Sequence, residues 1–312
     1  MIRVAILDDW QGVALGLADW ASLGPDVEVV PFREPLRADR AAEALAGFDA
    51  ICLIRERMAV PRALIEALPR LRLIVVTGRE HRTLDRAAAE ERGIAVLHTP
   101  SGESLYATTE LALGLLLACA RNIPREDSAI RDGRWQETIG TLLHGKTLGL
   151  VGLGRLGARM AVLGQALGMR VIAWSPNLTP ERAAGTGAEA VSRAALFAES
   201  DAVSIHLVLS DATRGLIGAD DLARMKRGAI LVNTARGPIV QEAALLAALR
   251  DGPLGAAGLD VFEQEPLPPP HPLRTLPNVV LTPHLGYVTD VGYRIYFEGM
   301  VGCLRMWLGR GA

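Results

Sequence analysis

Short apolar runs rich in β-branched residues alternate along the chain with longer Ala-, Leu- and Arg-rich stretches of helix length. The runs fall at residues 4–7, 27–31, 50–54, 71–77 and 94–98, then at 147–151, 170–174, 202–206, 229–233, 255–260 and 279–282. Continuous hydrophobicity, rather than strict alternation, marks strands covered on both faces. With helical stretches between them, these are the strands of βαβ units in parallel sheets. Eleven strands fit two sheets of five or six better than one sheet. The expected fold class is therefore α/β, with two doubly wound domains.

The seam should lie at the polar turn cluster His98-Thr99-Pro100-Ser101-Gly102-Glu103, just before a long helix over 108–121. A second crossing is expected at His284-Leu285-Gly286-Tyr287, after which residues 290–308 carry apolar positions at helical spacing. One domain is thus expected to be discontinuous, 1–98 with 287–312, and the other to run from 99 to 286.

Composition narrows the class of partner. The chain has 312 residues, half of them apolar and 22% charged, enough for two packed cores. A net charge of −2 without a dense Lys/Arg run argues against nucleic acid or an anionic membrane surface. The expected partner is a small molecule. The longest uncharged apolar run, 111–120, reaches about half of a membrane span and reads as a buried helix. The segment from Met1 to Asp8 runs straight into a strand pattern, without the features of a secretory signal. Cys52, Cys119 and Cys303 sit singly in apolar stretches, without disulfide or metal spacing. They suit small core positions in a reducing cytoplasm, and no metal is implied.

The strongest local signal is Gly152-Leu153-Gly154-Arg155-Leu156-Gly157. It follows the run at 147–151, opens a helical stretch, and precedes the run at 170–174. That is the βαβ context of a dinucleotide loop, in which Gly152 makes the tight turn, Gly154 admits a pyrophosphate and Gly157 lets helix meet strand. The helix N-terminus, from Arg155 and Leu156 onward, supplies N–H donors to the phosphates. The acid expected after the second strand, which would hold the ribose hydroxyls of NAD, is absent, and Ser175 stands in its place. Either NAD or NADP therefore remains open, with Arg155 and Arg182 as candidate phosphate partners.

Three later segments end at strand termini: Asn233-Thr234-Ala235-Arg236-Gly237, Asp260-Val261-Phe262-Glu263-Gln264-Glu265-Pro266 and Thr282-Pro283-His284-Leu285-Gly286. In an open α/β sheet, ligands bind outside the carboxyl ends of the strands, so Arg236, Glu265 and His284 can converge there. Reducing a 2-keto acid places negative charge on the carbonyl oxygen, and a histidine is the natural proton donor near neutral pH. A neighbouring carboxylate favours the imidazolium and fixes the ring, while an arginine grips the substrate carboxylate with two donors.

This ordered set resembles the D-isomer-specific 2-hydroxyacid dehydrogenase family across essentially the whole chain. The resemblance implies a Rossmann dinucleotide-binding domain inserted in a flavodoxin-like substrate domain, with Arg236, Glu265 and His284 as the catalytic three. The spacings of 29 and 19 residues between them also resemble the family's. It further implies that Asp260 holds the nicotinamide carboxamide, that His206, Val208 and Thr234 line the cofactor at strand ends, and that Thr109 and Gly286 lie near the nicotinamide. Residues 131–136, with Trp135, resemble the family's dimer arm, which implies a homodimer.

One departure concerns the substrate. Where the family has a glycine-rich turn after the fourth strand, this chain reads Gly78-Arg79-Glu80-His81-Arg82. Gly78 is kept, but Glu80 replaces the second glycine, so Gly78, Arg79 and Glu80 are expected to set a specificity other than for the smallest keto acids. The alternative reading is a nucleotide-sensing binding protein of the same fold with little turnover. The intact Arg, Glu and His argue against it. Formate oxidation is disfavoured, because that branch carries glutamine where Glu265 stands.

Overall fold

Each of the eleven expected runs forms a strand, and every strand pairing in the computed structural model, which describes residues 1–309, is parallel. The chain divides into two units, Met1–Glu103 with the chain from Thr289 onward, and Ser104–Val288. The joins thus fall at 103/104 and 288/289, against the expected 98/99 and 286/287. Residues 99–103 stay with the first unit because Thr99 N–H donates to Val76 O and Tyr296 Oη donates to Ser101 O at 3.2 Å.

The first unit is built on β1 (Ile2–Leu7), β2 (Val27–Pro31), β3 (Ala50–Leu53), β4 (Leu73–Val76) and β5 (Ala95–His98), in spatial order β2-β1-β3-β4-β5. This is the flavodoxin-like doubly wound order. The helices α1 (Ala38–Leu45), α2 (Arg62–Glu66) and α3 (Arg86–Glu91) link successive strands. The closing helix Asp290–Leu308 lies against β4 and β5 and buries Tyr296, Phe297, Met300 and Leu304 completely. Removing each such side chain from water is worth about 1.5–3 kcal/mol, which explains why this returning helix belongs to the unit. At the carboxyl ends of β1, β3 and β4, Asp8, Arg55 and Gly78 have φ of 60°, 54° and 81°. Arg57 ties two of these elements to the closing helix. Its guanidinium donates to Asp8 O at 2.6 Å and to Tyr293 Oη at 2.7 Å, and it stacks 4.2 Å over the Trp10 ring.

The second unit carries β6 (Thr147–Val151), β7 (Arg170–Trp174), β8 (Glu189–Ala190), β9 (Ala202–Ile205), β10 (Ala229–Asn233), β11 (Leu254–Leu259) and β12 (Val279–Leu281). Their order is β12-β11-β10-β9-β6-β7-β8, the Rossmann arrangement with one further strand, and the order reverses between β6 and β9. The sheet has seven strands rather than five or six. The addition is β8, a two-residue edge strand with an exposed glutamate and no apolar run to announce it. The helices are α4 (Ser104–Ala120), α5 (Ile123–Arg131), α6 (Arg155–Ala166), α7 (Pro180–Ala184), α8 (Arg193–Glu199), α9 (Ala219–Arg224) and α10 (Glu242–Arg250). Leu116 of α4 and Met160 of α6 bury one face with Leu148, Leu150, Ile230 and Val232. Phe197, Leu222 and Leu245 bury the other with Val151, Val203 and Leu231. Adjacent strand residues therefore enter opposite cores, and the strands read as unbroken apolar runs. Among the described residues no helix is long and apolar enough to cross a membrane.

Candidate active site

The loop from Gly152 to Gly157 shows which of its glycines the protein itself requires. Gly152 has φ of 99°, and a Cβ there would sit 2.9 Å from the His206 carbonyl. A Cβ on Gly157 would come within 2.1 Å of Gly152 O, so α6 could not approach β6. Gly154 is different. It begins α6 without a side-chain cap, and a Cβ built on it meets no atom within 4 Å. The protein leaves that side open at a helix end whose first N–H groups lack side-chain acceptors, which is the geometry an anionic diphosphate needs.

Buried polar atoms point to the same edge of the sheet. His206 follows β9, and its Nε2 lies 2.9 Å from Ser204 Oγ, while Nδ1 is buried without a partner among the described residues. Burial pushes its pKa down to about 4, so the ring is neutral near pH 7. Thr234 Oγ1, after β10, is likewise buried without a partner among the described residues. Unpaired buried polar groups are costly, and at a strand's carboxyl end they are what a bound dinucleotide would satisfy. The residues present therefore fit NAD or NADP. Val208 is 68% exposed on the segment after β9.

The next two strand ends are joined by Asp260, which is fully buried after β11. Its carboxylate accepts from Thr282 Oγ1 at 2.7 Å, Leu285 N at 2.6 Å and Gly286 N at 2.9 Å, and its backbone O accepts from His284 N at 2.9 Å. Burial raises this carboxyl above the usual range, although these hydrogen bonds and the nearby His284 work against it. Asp260 thus folds the turn that presents His284. Thr108 of α4 completes it, donating to Gly286 O at 2.7 Å. Thr109, by contrast, is buried and donates to Leu105 O and Tyr106 O of its own helix. Sequence reading had singled out Thr109 and missed Thr108. Two adjacent threonines on a helix look alike in sequence, and only the docked turn distinguishes them.

His284 itself has φ of 54°, a left-handed conformation uncommon outside glycine. Its Nδ1 lies 2.6 Å from Glu265 Oε2, while Nε2 makes no hydrogen bond among the described residues. The ring packs edge-on to Tyr287 at 5.6 Å between centroids. Glu265 is fixed from the other side, its Oε1 accepting from Phe262 N at 2.9 Å. Burial alone would raise the Glu265 carboxyl, but the His284 hydrogen bond and charge, the Phe262 N–H and the charge of Arg236 outweigh it and hold it below the usual range. Arg236 leaves β10 in extended backbone, half-buried, with Nη1 donating to Ala235 O at 2.7 Å. Asn233 pins this exit, its side chain donating to Arg236 O and accepting from Ala235 N, both at 3.0 Å.

In the first unit, Gly78 N–H donates to Thr99 Oγ1 at 3.2 Å, and the Gly78 carbonyl meets His98 Nδ1 at 2.8 Å. Arg79 and Glu80 are exposed, whereas His81 is buried, its pKa lowered by that burial. No group of His, Cys, Asp or Glu able to hold a metal ion occurs among the described residues.

Comparison with known proteins places this geometry. A family model described as D-isomer specific 2-hydroxyacid dehydrogenase, NAD binding domain, matches residues 113–286. A glyoxylate reductase from Aeropyrum pernix is 42% identical over 268 residues, covering 83% of this chain and 78% of the relative. A D-3-phosphoglycerate dehydrogenase from Archaeoglobus fulgidus is 41% identical over 85% of this chain, and the match spans only half of that protein's length. The solved structure of a phosphoglycerate oxidoreductase from Vibrio cholerae covers all of both chains with a TM-score of 0.93 at 36% identity.

Proposed function

The chain belongs to the D-isomer specific 2-hydroxyacid dehydrogenase family, and from that premise we propose that it interconverts a 2-keto acid and the D-2-hydroxy acid. The observation that carries this reading is the 2.6 Å pair of His284 and Glu265, with Arg236 close enough to act on the Glu265 charge. Bound NAD(P)H supplies the hydride to C2 of the keto acid. His284, as imidazolium, gives its Nε2 proton to the carbonyl oxygen, so that the product is a neutral hydroxyl and the ring is left neutral. Glu265 supports the imidazolium charge through Nδ1 and sets the ring so that Nε2 is the free edge. Arg236 holds the substrate carboxylate with two donors and draws electron density from the adjacent carbonyl. In the oxidising direction neutral His284 accepts the hydroxyl proton.

For the cofactor, Gly152, Gly154, Arg155, Leu156 and Gly157 would take the diphosphate. Ser175 would meet the adenosine ribose, and His206, Val208, Thr234, Asp260 and Gly286 the remainder, while Thr109, committed within α4, takes no part. Gly78, Arg79 and Glu80 are assigned to substrate specificity, in a cytoplasmic enzyme. A homodimer is supported by an exposed apolar series, Ile123, Ile130, Trp135, Ile139 and Leu142.

The test is oxidation of NADH and NADPH, read at the nicotinamide absorbance, against a panel of 2-keto acids. Turnover of at least one acid is expected. Tight cofactor binding with no turnover of any would replace this reading with that of a nucleotide sensor.

A further inference from the structure

We propose that the turn after β7 receives a phosphoryl group on the 2′ position of the adenosine ribose, so that the chain binds NADP(H) in preference to NAD(H). The proposal rests on the loop from Gly152 to Gly157 being a dinucleotide site. In the sheet Val151 pairs with Trp174, and Gly152 N–H donates to Trp174 O at 2.8 Å, so Ser175 stands directly beside the first glycine of that loop. An NAD site places a carboxylate here to accept from the ribose hydroxyls, and the same carboxylate repels a 2′-phosphate. The turn 175–179 reads Ser, Pro, Asn, Leu, Thr and holds no acid.

One guanidinium is tied to this turn. The turn closes on itself through Leu178 N–H to Ser175 O at 3.1 Å, and Thr179 then caps α7. Arg182, one turn into α7, donates from Nη1 to Asn177 O at 2.7 Å, which ties its guanidinium to the turn. A guanidinium has five N–H donors, and no carboxylate pairs with this one among the described residues. Glu181, the acid beside it in sequence, lies outside the 175–179 turn and forms no ion pair with Arg182 among the described residues. Arg155, the first residue of α6, is exposed, with no ion pair or side-chain hydrogen bond among the described residues, and stays with the diphosphate.

Several other arginines of this unit are instead held by carboxylates. Arg170 is shared between Glu189 and Glu199, Arg193 is held by Asp221, and Arg131 by Asp127. An acid-free turn to which the Arg182 guanidinium is tied, with no carboxylate on that guanidinium among the described residues, fits a small dianion, for which planar guanidinium donors are well suited.

The experiment measures binding without turnover, by titration calorimetry with 2′-phospho-ADP-ribose and with ADP-ribose, alongside NADPH and NADH. The phosphorylated member of each pair should bind about tenfold or more tightly, the gain of one charge-assisted contact. Arg182→Ala should remove most of that advantage while leaving ADP-ribose affinity unchanged, and Ser175→Asp should reverse the preference. Equal or tighter binding of ADP-ribose, or an Arg182→Ala loss shared by both ligands, overturns the proposal and leaves the dehydrogenase reading standing. If none of the four ligands binds, the dinucleotide reading of the loop falls and the proposal falls with it.

Discussion

At the scale of single residues, chemistry depends on which atoms the fold leaves free. His284 Nδ1 is committed to Glu265 and Nε2 is not, so the ring has one reactive edge. Replacing His284 by Ala should lower kcat about 10²- to 10⁴-fold while the dinucleotide Kd hardly moves. In Glu265→Gln the ring loses the carboxylate that fixes Nδ1, so kcat should fall about tenfold or more while the dinucleotide Kd hardly moves. An unchanged kcat would remove Glu265 from that role. Asp8 gives a stability prediction of opposite logic. Burial raises its carboxyl to about 6, against the opposing charge of Arg57, so the folded state prefers the protonated form. Its contribution is present in full below the unfolded value of 3.8 and is lost as pH rises through about 6. Asn is neutral throughout and suits the φ of 60°. Asp8→Asn should therefore gain about 1–2 kcal/mol in urea denaturation at pH 8 and little at pH 4. An equal change at both values contradicts the burial argument. Residue type and spacing singled out Arg236, Glu265 and His284 at successive strand ends, and the fold brings Glu265 and His284 to 2.6 Å. The left-handed backbone at His284 could not be read that way, because it is imposed by Asp260 from another strand end.

At the scale of elements, hydrophobic runs were a good guide wherever both faces of a strand are covered and a poor one at the sheet's margin. Eleven strands followed from their apolar runs, whereas Glu189–Ala190 has only an edge partner and no core to declare it. The glycine loop sharpens the distinction between packing and binding. Gly157→Ala should cost stability, because its Cβ has only 2.1 Å to Gly152 O, and lower thermal stability and cofactor affinity together. Gly154→Ala should leave the melting temperature nearly unchanged, since its φ of −82° is ordinary and its Cβ meets nothing, yet weaken dinucleotide binding several-fold. If Gly154→Ala binds as the parent does, the open side of the loop is not where the diphosphate lies.

At the scale of the whole molecule, two features go beyond a single site. The apolar series on α5 and the segment after it includes Ile139 at 97% and Trp135 at 73% exposure. Light scattering should give about twice the 33.3 kDa chain mass, and Ile139→Asp with Trp135→Glu should return it to the monomer. A parent that is monomeric at micromolar concentration would end the dimer assignment. The second feature is the order of the units along the chain. The Rossmann unit is one uninterrupted stretch, whereas the flavodoxin-like unit needs its first hundred residues and its last helix. During synthesis the inserted unit has all its strands before the outer one can bury β4 and β5 under Asp290–Leu308. Folding on the ribosome should thus run from the middle outward, with the N-terminal sheet waiting, partly uncovered, until Asp290–Leu308 has been made. A 104–288 fragment should then fold cooperatively by itself and a 1–103 fragment should not, and the reverse result would assign the waiting period to the other unit.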